Sequence, residues 1–490
     1  MEDENELITI RKEKLKFFEG KKINPYQYSY EVKDYAAKLK EDNKDLKQGD
    51  KGKKAKIAGR VMALRTMGKV TFFQVEDASG QIQVYIKEDD IGKAKYEIFG
   101  KIDIGDWIGI EGFVFRTKMG EITVHTEGFE LLSKSLRPLP EKWHGLKDTE
   151  KKYRQRYLDM IMNPEVRKVF VQKSIIVNEI RNQLMQYGFI EVSTPILQTV
   201  YGGAEAEPFV THMNALNIDL FLAISPELYL KRFIVGGMGR VFTIAKNFRN
   251  EDFDRSHNPE FEMLEFYIAF EDYEWMMKFF EKMIEGICFK VHGKTKVKYG
   301  EHELDFKAPW ARMTMIQAIK KYGKLDIEKL SDAELKKKIK EFELEIGTRD
   351  EMINALFEKF CEHNLVQPTF ITDHPKGISP LTKEKRGKPE HVERFEVFVA
   401  GMELSNAYSE LNDPIEQRKR FEEQQKKKEK GDKEAHPMDK DFLTAMEYGF
   451  PPCAGLGMGV DRLVMLLTDS HSIRDTIAFP FMKPEEEENV

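Results

Sequence analysis

The sequence predicts an α+β protein in which a small β-barrel precedes a larger domain that mixes helices and strands. Two observations predict this class: short runs rich in Val, Ile and Phe begin at Ala55, and a long amphipathic helix follows only after residue 160. The 490 residues suffice for two or three domains, and a hydrophobic fraction of 41% suffices for large cores. We therefore expect a helical extension over 1–54, a barrel over 55–140 and a core domain over 141–490.

Composition excludes several classes of protein. The net charge is −6 although 33% of the residues are charged, so any nucleic-acid surface must be a local patch. The three cysteines are far apart and form no CxxC pair, which argues against a zinc knuckle or a disulfide framework and favours a reducing compartment. The chain shows no secretory signal and no run of 18 apolar residues, so we expect a cytoplasmic protein that does not span a membrane.

The first domain is predicted from five strand-like runs separated by glycine turns. They are KIAGRVMALRTMG, KVTFFQVED, QIQVYI, DWIGIEGFVFRT and EITVHTEGFELL. A helical stretch, DDIGKAKYEIFG, lies between the third and fourth runs, and this order is typical of an oligonucleotide-binding barrel. Before the barrel, YEVKDYAAKLKED favours a short amphipathic helix that packs only loosely on its surroundings.

Such barrels bind single-stranded nucleic acid by stacking bases on aromatic rings and attracting phosphates with basic side chains. The candidates for these contacts are Arg60, Arg65, Lys69, Phe72 and Gln83. The alternative is that the aromatic ring belongs to the core. Because neighbouring residues of a strand face opposite sides, one of Phe72 and Phe73 must be core.

The second domain begins after a hinge. RPLPEKWHGLKDTEKKYRQRYLD combines two prolines with dense charge and places the boundary near residues 136–150. Apolar residues at three- to four-residue spacing predict a helix over 165–187, with Gly188 as its stop. FIEVSTPIL then predicts an extended segment that ends at Pro195.

A helical insert is expected within this domain, over about 314–364. Ser331 with Glu334, and Thr348 with Glu351, fit capping boxes, in which a hydroxyl and a carboxylate accept hydrogen bonds from backbone N–H groups at a helix start. The insert carries no obvious chemistry. The acidic PEEEENV end of the chain is expected to be disordered.

The chemistry of the second domain is concentrated in three segments, of which the first is RNEDFDRSHNPEFEMLEFY, residues 249–267. Phe261, Glu265 and Tyr267 occupy odd positions of an extended run, so they share one face of a strand. The residues that precede them are Arg249, Glu251 and His257. Such a face is not expected in an apolar core, but it suits a site that holds a polyanion, a flat base and a cation.

The second segment is ERFEVFVAGMELSNAYSELNDP, residues 393–414. A turn in its middle would place two strands side by side, with Glu396 and Glu403 facing one pocket. Paired carboxylates that face nucleotide phosphates are normally bridged by Mg²⁺, which prefers oxygen ligands. The residues that alternate onto one face of the second strand are Asn406, Tyr408 and Glu410. A single glutamate is more often a solvated charge, but the recurrence of polar groups in strand-like sequence favours a site.

The third segment, AGLGMGVDRLVMLL, covers residues 454–467. Gly457 and Gly459 allow a ligand to approach the backbone, and Arg462 lies in the first turn of an apolar helix, where it can reach a phosphate. A lone GxGxxR is weak evidence, but here FRNE precedes it in the chain. Together the two resemble motifs 2 and 3 of class II aminoacyl-tRNA synthetases, while the helix, strand and Pro195 resemble motif 1, which forms their dimer interface. The sequence has no Walker A motif and neither HIGH nor KMSKS.

The order of a barrel and a class II core, over about residues 55–484, resembles the aspartyl, asparaginyl and lysyl synthetases. The runs that resemble the lysyl-tRNA synthetase family are YRQRYLDM (153–160), YGGAEAEPFVTHMNAL (201–216) and SPELYLKR (225–232). The resemblance implies an anticodon-binding oligonucleotide-binding (OB) fold barrel and a catalytic antiparallel sheet flanked by helices. It also implies a homodimer that uses L-lysine, ATP, Mg²⁺ and tRNA(Lys). Lysine and ATP would give lysyl-adenylate and pyrophosphate, and the lysyl group would then move to the 3′ end of the tRNA.

The resemblance assigns roles to matching positions. Those for lysine are Gly203, Glu227, Arg249, Glu265, Tyr267, Asn406, Tyr408 and Glu410. Those for ATP are Arg249, Glu251, His257, Phe261, Glu396, Glu403, Gly459 and Arg462. The catalytic residues among them are Arg249, Glu251 and Arg462; those for Mg²⁺ are Glu396 and Glu403; and those for the anticodon are Arg65, Phe72 and Gln83. Asp252 replaces the glycine usual in the family, so we expect altered kinetics rather than lost function.

Charge separates the alternatives of the same layout. Two unit charges about 4 Å apart interact by about 4 kcal/mol at an effective dielectric constant of about 20. A pocket with Glu265 and Glu410 therefore attracts an ε-ammonium and repels a carboxylate, which argues against an aspartyl or asparaginyl synthetase. The barrel argues against a paralogue that transfers lysine to a protein. The three motifs argue against an inactive paralogue that only binds nucleic acid.

Overall fold

The computed structural model describes residues 2–140, 148–431 and 434–485. The chain divides into two compact units, Met1–Lys147 and Asp148–Val490. Part of the predicted hinge and most of the predicted acidic end lie outside the described residues. Within the described ranges, no helix is long and apolar enough to cross a membrane.

A closed five-stranded barrel forms the centre of the first unit, which confirms the sequence-based prediction. Its strands are β1 (Lys51–Met67), β2 (Val70–Asp77), β3 (Gly80–Lys87), β4 (Trp107–Arg116) and β5 (Ile122–Ser133). Around the barrel the order is β1-β2-β3-β5-β4. Strands β3 and β5 are parallel, and the other neighbours are antiparallel.

The helices of this unit are α1 (Glu2–Gly20), α2 (Ala36–Asp42), α3 (Glu88–Ile91) and α4 (Lys93–Phe99). The stretch predicted to be one helix between the third and fourth strands is broken at Gly92, which separates α3 from α4. Phe18, Ala36 and Leu39 are buried in the same core as the barrel strands. The expectation of a loosely packed helix before the barrel is therefore wrong, because two or three apolar side chains suffice to fix a short helix on a core.

An eight-stranded sheet forms the centre of the second unit. From one edge to the other, its strands are β14 (Ala311–Thr314), β15 (Thr369–Thr372), β18 (Arg394–Val399), β19 (Met402–Ser409), β20 (Cys453–Gly459), β11 (Glu260–Ala269), β10 (Arg240–Phe248) and β6 (Ile190–Glu191). The strands from β15 to β10 are successively antiparallel, whereas β14 and β6 pair in parallel at the two edges.

Helices cover this sheet. Those outside the insert are α5 (Thr149–Arg154), α6 (Arg156–Met162), α7 (Pro164–Gln186), α8 (Glu227–Val235), α9 (Tyr273–His292), α13 (Pro414–Glu429), α14 (Lys440–Glu447), α15 (Val460–Thr468) and α16 (Ile473–Thr476). Short strands outside the main sheet are β7 (Leu197–Gln198), β8 (Val210–Met213), β9 (Ile218–Leu222), β12 (Lys296–Tyr299), β13 (His302–Asp305), β16 (Glu384–Lys385) and β17 (Lys388–Val392). Helix α7 has the predicted position, and it buries Ile176, Ile180 and Leu184 in the core that includes α9 and the sheet.

The segment between β14 and β15 is helical. Its α-helices are α10 (Met315–Ala318), α11 (Asp332–Glu341) and α12 (Arg349–Phe360). Both predicted capping boxes are present: the Ser331 and Thr348 hydroxyls accept hydrogen bonds from the N–H groups of Glu334 and Glu351, whose carboxylates accept from the capping residues in return. These helices have their own hydrophobic core, which continues into Ile371 of the sheet.

Candidate active site

The polar face predicted for residues 261–267 exists on β11. Phe261, Met263, Glu265 and Tyr267 all line a cavity of about 380 Å³, as the two-residue period of a strand requires. The intervening residues Leu264 and Phe266 are fully buried in the core on the other side of the sheet. Successive side chains of this one strand therefore point alternately into the hydrophobic core and into the cavity.

Strand β20 forms the floor of this cavity because its cavity-facing positions are glycines. Gly457 lies opposite Glu265 on β11 and opposite Asn406 on β19. The strands on either side carry the polar side chains, and the strand between them carries none at these positions. The result is a groove whose two walls come from residues more than a hundred positions apart in the sequence.

Gly455 is the position where the absence of a side chain is most strictly required. It lies opposite Tyr267 and Tyr408 in the neighbouring strands. A Cβ added there would collide with the Tyr267 ring and the Glu410 carboxylate. Gly457 and Gly459 were predicted from the sequence but Gly455 was not, because its role depends on two distant side chains, Tyr267 and Glu410.

Glu265 is held in one orientation by its neighbours. Ser225 Oγ donates to its Oε1 at 2.7 Å, and the Tyr267 hydroxyl donates to its Oε2 at 3.1 Å. Burial raises the pKa of Glu265 to about 8, and the charge of Glu227 contributes, although the two hydrogen bonds and Arg249 act in the opposite direction. This carboxyl group is therefore poised to lose its proton when a cation approaches.

The sequence predicts Glu410 as an unpaired carboxylate in the pocket, and the structure differs from this prediction. It is only 1% exposed and does not line the cavity. Its Oε2 lies 2.5 Å from Lys231 Nζ, which also lies 2.6 Å from Glu227 Oε1. Burial raises the pKa of Glu410 to about 8, and Lys231 lowers it in part. Lys231 was not predicted from the sequence, because nothing in a helical sequence shows that a lysine will be buried.

A loop between β7 and β8 covers the same end of the cavity. Gly203 lines the cavity at φ +89°, a backbone conformation that side chains disfavour. A Cβ at this position would lie 2.8 Å from both Glu227 Cβ and Ser225 Oγ. The backbone of Gly203 is thereby brought next to the acidic cluster.

At the other end of the cavity, Arg249 follows β10 directly. Its guanidinium carbon lies 5.2 Å from the centroid of the Phe261 ring. Burial lowers the pKa of Arg249, while Glu251, Glu403 and Glu265 raise it, and the guanidinium remains cationic in any case. Arg462, which the resemblance also assigns to ATP, lines the cavity as well.

Arg462 connects the third segment to the first. Its Nη1 donates to the backbone oxygen of Glu403 at 2.6 Å, and its Nη2 donates to His257 Nε2 at 3.2 Å. The other ring nitrogen of His257 lies 3.0 Å from Asp254 Oδ1. Burial opposes ionisation of Asp254, but hydrogen bonds from Ser256 and His257 outweigh it and lower the pKa of this carboxyl to about 2.

Glu396 and Glu403 face this second end from adjacent strands. The hairpin turn between them has Ala400 at φ +52° and Gly401 at φ +76°, the left-handed values of a two-residue turn. Burial raises the pKa of Glu403, and the charge of Glu396 raises it further. Two carboxylates that destabilise each other in this way favour a cation between them.

Arg394 fixes the position of Glu396. It donates from Nη2 to Glu396 Oε1 at 2.6 Å and from Nε to Asn406 Oδ1 at 3.1 Å. A third bond from Nη1 reaches Ser379 Oγ at 2.9 Å. Arg394 also lines the cavity and was missed in the sequence, where it reads as an ordinary exposed charge.

The structure thus brings together all the residues predicted for ATP, metal and lysine except that Glu410 lies behind the cavity wall. Asp252, the departure from the family pattern, is exposed and lines the cavity as well. Among the described residues no group of three or more His, Cys, Asp or Glu side chains could hold a metal by itself.

The predicted nucleic-acid residues lie on the barrel. Phe73 is core at 2% exposure, whereas Phe72 faces outward and is only half-buried. Arg65 is exposed and lies opposite Phe72 on β1. The Phe72 ring is 5.0 Å from the Tyr85 ring, which is 5.0 Å from the His125 ring.

Gln83 lies two residues before Tyr85 on β3 and therefore on the same face. Phe113 extends the aromatic group, with its ring stacked at 4.7 Å on His125. A basic side chain, Lys51, lies 3.9 Å from the Phe113 ring. These added rings were not predicted from the sequence, because each is an ordinary strand residue whose neighbours are set only when the barrel closes.

Two family models match the chain. One is described as tRNA synthetases class II (D, K and N) and covers residues 148–483; the other is an OB-fold nucleic acid binding domain and covers residues 55–132. The lysine–tRNA ligase of Pelotomaculum thermopropionicum is 50% identical over 99% of this chain and 96% of its own length. Those of Syntrophomonas wolfei and Moorella thermoacetica are 49% identical over 99% of this chain and over 98% and 100% of their own lengths.

Proposed function

The chain belongs to the lysine–tRNA ligases of the class II tRNA synthetase family, and we propose that its cavity performs both steps of that reaction with the residues described above. The observation that carries this proposal is the arrangement of charge in a single cavity: Glu227 and Glu265 line one end, and Arg249 lines the other together with Arg462, Glu396 and Glu403. Lysine has two ammonium groups and one carboxylate. Glu227 and Glu265 are placed to take the ammonium groups, and Arg249 is placed to take the carboxylate.

The lysine side chain would point toward Glu265, Tyr267 and Glu410. The Tyr267 hydroxyl and Glu265 are already hydrogen-bonded to each other, so the ε-ammonium meets groups that need little rearrangement. Glu410 acts from behind the Tyr267 ring, where its Oε1 has no hydrogen-bond partner among the described atoms. Asn406 and Tyr408 complete the wall on β19. An uncharged analogue would leave the buried Glu265 carboxyl group without a cation to pair with and would bind poorly.

The α-ammonium would lie near Gly203 and Glu227, and the carboxylate near Arg249. Arg249 would contact both this carboxylate and the α-phosphate of ATP, which aligns the attacking oxygen with phosphorus. The lysine carboxylate oxygen then bonds to the α-phosphorus as the bond to the pyrophosphate oxygen breaks. Alignment and stabilisation of the developing charge account for this step without a covalent enzyme intermediate.

ATP would occupy the end of the cavity lined by Phe261 and Arg462. The Phe261 ring offers a stacking surface for adenine, and Glu251 is a hydrogen-bond acceptor for its amino group. His257 lies beside Arg462, where both reach the outer phosphates. Gly459, at the start of α15, gives the nucleotide close access to the backbone.

Glu396 and Glu403 would hold Mg²⁺. They are hard oxygen donors on adjacent strands, and Mg²⁺ is typically bound by one or two carboxylates together with substrate phosphates and water. The raised pKa of Glu403, caused by burial and by Glu396, is the electrostatic condition that a bound cation relieves. When bound, the ion would neutralise phosphate charge. Arg394 keeps Glu396 in place for this contact.

The barrel would bind the anticodon of tRNA(Lys). Phe72 offers a ring for base stacking, and Arg65 and Gln83 offer hydrogen bonds from the same surface. Tyr85 and His125 extend the stacking surface beyond the residues identified in the sequence. Because the substrate is tRNA in translation, we place the protein in the cytoplasm.

Phe72→Ala should reduce the kcat/KM for tRNA charging by about 30-fold, since a stacked base contributes about 2 kcal/mol. Lysine-dependent exchange of pyrophosphate with ATP should be unchanged, because it needs no tRNA. Tyr28→Ala is the matched control, since Tyr28 is an aromatic residue of the same unit at 99% exposure. An equal loss of charging in both variants, or a loss of exchange in Phe72→Ala, would contradict the assignment.

The chain would act as a homodimer through α7 and the short strands that follow it. Exposed apolar side chains on these elements include Val171, Ile175, Ile190, Leu197 and Val210. Where such side chains adjoin, they mark interaction surfaces. Light scattering that gives the mass of one chain for an active sample would exclude the dimer.

The proposal is tested by charging. With Mg²⁺-ATP and radiolabelled lysine, the protein should attach lysine to an acid-precipitable tRNA with a UUU or CUU anticodon. Transfer of aspartate or asparagine at a comparable rate would favour the other synthetases of this layout. Binding of tRNA without any aminoacylation would favour an inactive nucleic-acid-binding paralogue.

A further inference from the structure

Lys231 is a buried cation to which the reaction assigns no role. It is fully buried in α8, one helical turn after Glu227 on the same face. Its ammonium group lies 2.6 Å from Glu227 Oε1 and 2.5 Å from Glu410 Oε2, and the ring of Phe442 closes another side at 6.0 Å. The carboxylates on either side of it are the two that flank the proposed lysine site.

We propose that Lys231 is a positioning and specificity-determining residue, which fixes Glu227 and Glu410 and sets the charge of the amino-acid site to match lysine. This inference rests on the proposed function. Three carboxylates, those of Glu227, Glu265 and Glu410, surround this end of the cavity. When all three are ionised in the lysine complex, the charge of Lys231 brings their sum to −2, which equals in magnitude the charge of the two substrate ammonium groups. Without Lys231 the same three carboxylates would sum to −3, one negative charge more than the two ammonium groups balance.

The geometry supports a role in positioning rather than in stability. Glu227 lines the cavity, so one oxygen of its carboxylate can be held by Lys231 while the other remains for a ligand. Glu410 is likewise held by one oxygen only, and its other oxygen lies against Gly455 and Tyr267. A buried ion pair is on average no more stabilising than apolar residues of the same volume. Its presence behind a binding site therefore calls for a functional reason.

Titratable groups from several elements face this ion cluster. They are Glu265 and Tyr267 on β11, Tyr408 on β19, Cys453 on β20 and His436 after α13. Burial and the charge of Lys231 lower the pKa of His436 to about 4, so this ring is neutral at pH 7. Burial raises the pKa of Cys453, which is neutral too. Lys231 is thus the cation that balances Glu227 and Glu410 from inside the fold.

Lys231→Gln should raise the KM for lysine in pyrophosphate exchange by about 30-fold and leave the KM for ATP within twofold. The pH at which the lysine KM reaches its minimum should rise, because Lys231 lowers the pKa of Glu410, and without the ammonium this carboxyl group would hold its proton more tightly. Lys231→Arg keeps the positive charge but shifts the positions of the N–H donors. It should therefore raise the lysine KM less than Lys231→Gln does and keep the pH profile of the wild type. Calorimetric titration with lysine should show the same order of affinities without relying on catalysis.

Lys134→Met is the matched control, since Lys134 is equally buried between two carboxylates, Asp103 and Asp106, in the barrel unit. A melting temperature is measured for every variant. If Lys231→Gln loses stability as Lys134→Met does while its lysine KM and pH profile stay normal, Lys231 is structural and the inference is wrong. If Lys231→Gln does not fold, the inference is tested with Lys231→Arg: an unchanged KM and affinity for lysine in that variant would contradict it. Wild-type protein that exchanges pyrophosphate with another amino acid instead would overturn the proposed function itself.

Discussion

Replacing Arg249 by methionine is expected to lower kcat for lysine-dependent pyrophosphate exchange by about 10³-fold or more. The guanidinium is proposed to join the lysine carboxylate to the α-phosphate, and the loss of one preorganised donor to developing charge costs about 10²- to 10³-fold. Arg249 adds substrate alignment to that role. Methionine keeps much of the side-chain volume beside Phe261, so the loss should reflect chemistry rather than packing.

The control for this variant is Arg240→Met, at the exposed start of β10, the strand that Arg249 follows. Initial rates with saturating lysine and ATP compare the two variants directly. Arg240→Met should retain wild-type kcat. A similar kcat in both variants, or an Arg249→Met variant altered only in KM, would show that Arg249 merely binds substrate and does not stabilise the transition state.

Glu265→Gln should raise the KM for lysine by about a hundredfold, with little change in the KM for ATP. Hydrogen bonds to charged groups contribute about 1.5–3 kcal/mol, and the upper value corresponds to a factor on the order of a hundred. The glutamine oxygen can still accept from one of the Ser225 and Tyr267 hydroxyls, and its NH2 group can donate to the other, so the pocket should keep its shape. Glu260→Gln on the same strand is the control, since Glu260 is exposed and pairs with Lys246 outside the cavity. A parallel rise in both KM values would contradict the assignment of Glu265 to lysine.

The pH dependence of the same variant gives an independent test. Because burial raises the pKa of Glu265 to about 8, this group is mostly protonated at pH 7 in the free protein. Lysine binding requires the carboxylate, so the lysine KM of the wild type should fall as the pH rises from about 6.5 to 8. Glu265→Gln has no proton to lose at this position, and its lysine KM should depend less on pH. An identical profile in both proteins would show that Glu265 does not control binding.

The sequence was sufficient for the fold and for most of the site because both follow simple periods. The two-residue period placed Phe261, Glu265 and Tyr267 on one face, and the hairpin turn at Gly401 brought Glu396 and Glu403 into the same cavity. Apolar spacing likewise predicted α7. In each case the residues that act together are neighbours on one element or are joined by one turn.

The residues that were missed depend on contacts between distant elements. In the sequence, Lys231 is an ordinary polar residue of a short helix. It becomes a buried cation because Glu410, which follows β19, packs against it. Gly455 matters because Tyr267 and Glu410 meet above it. Tyr85 joins Phe72 only when β2 and β3 pair. Local sequence patterns do not show which distant residues will come into contact, so these roles could be recognised only in the three-dimensional structure.

The most direct test of the central claim is amino-acid-dependent exchange of labelled pyrophosphate into ATP, measured side by side with lysine, aspartate and asparagine, with and without Mg²⁺. Purified wild-type protein should exchange with lysine in the presence of Mg²⁺ and show only background with the other two. No exchange with lysine, or equal exchange with aspartate, would contradict the account of an acidic pocket that selects an ε-ammonium.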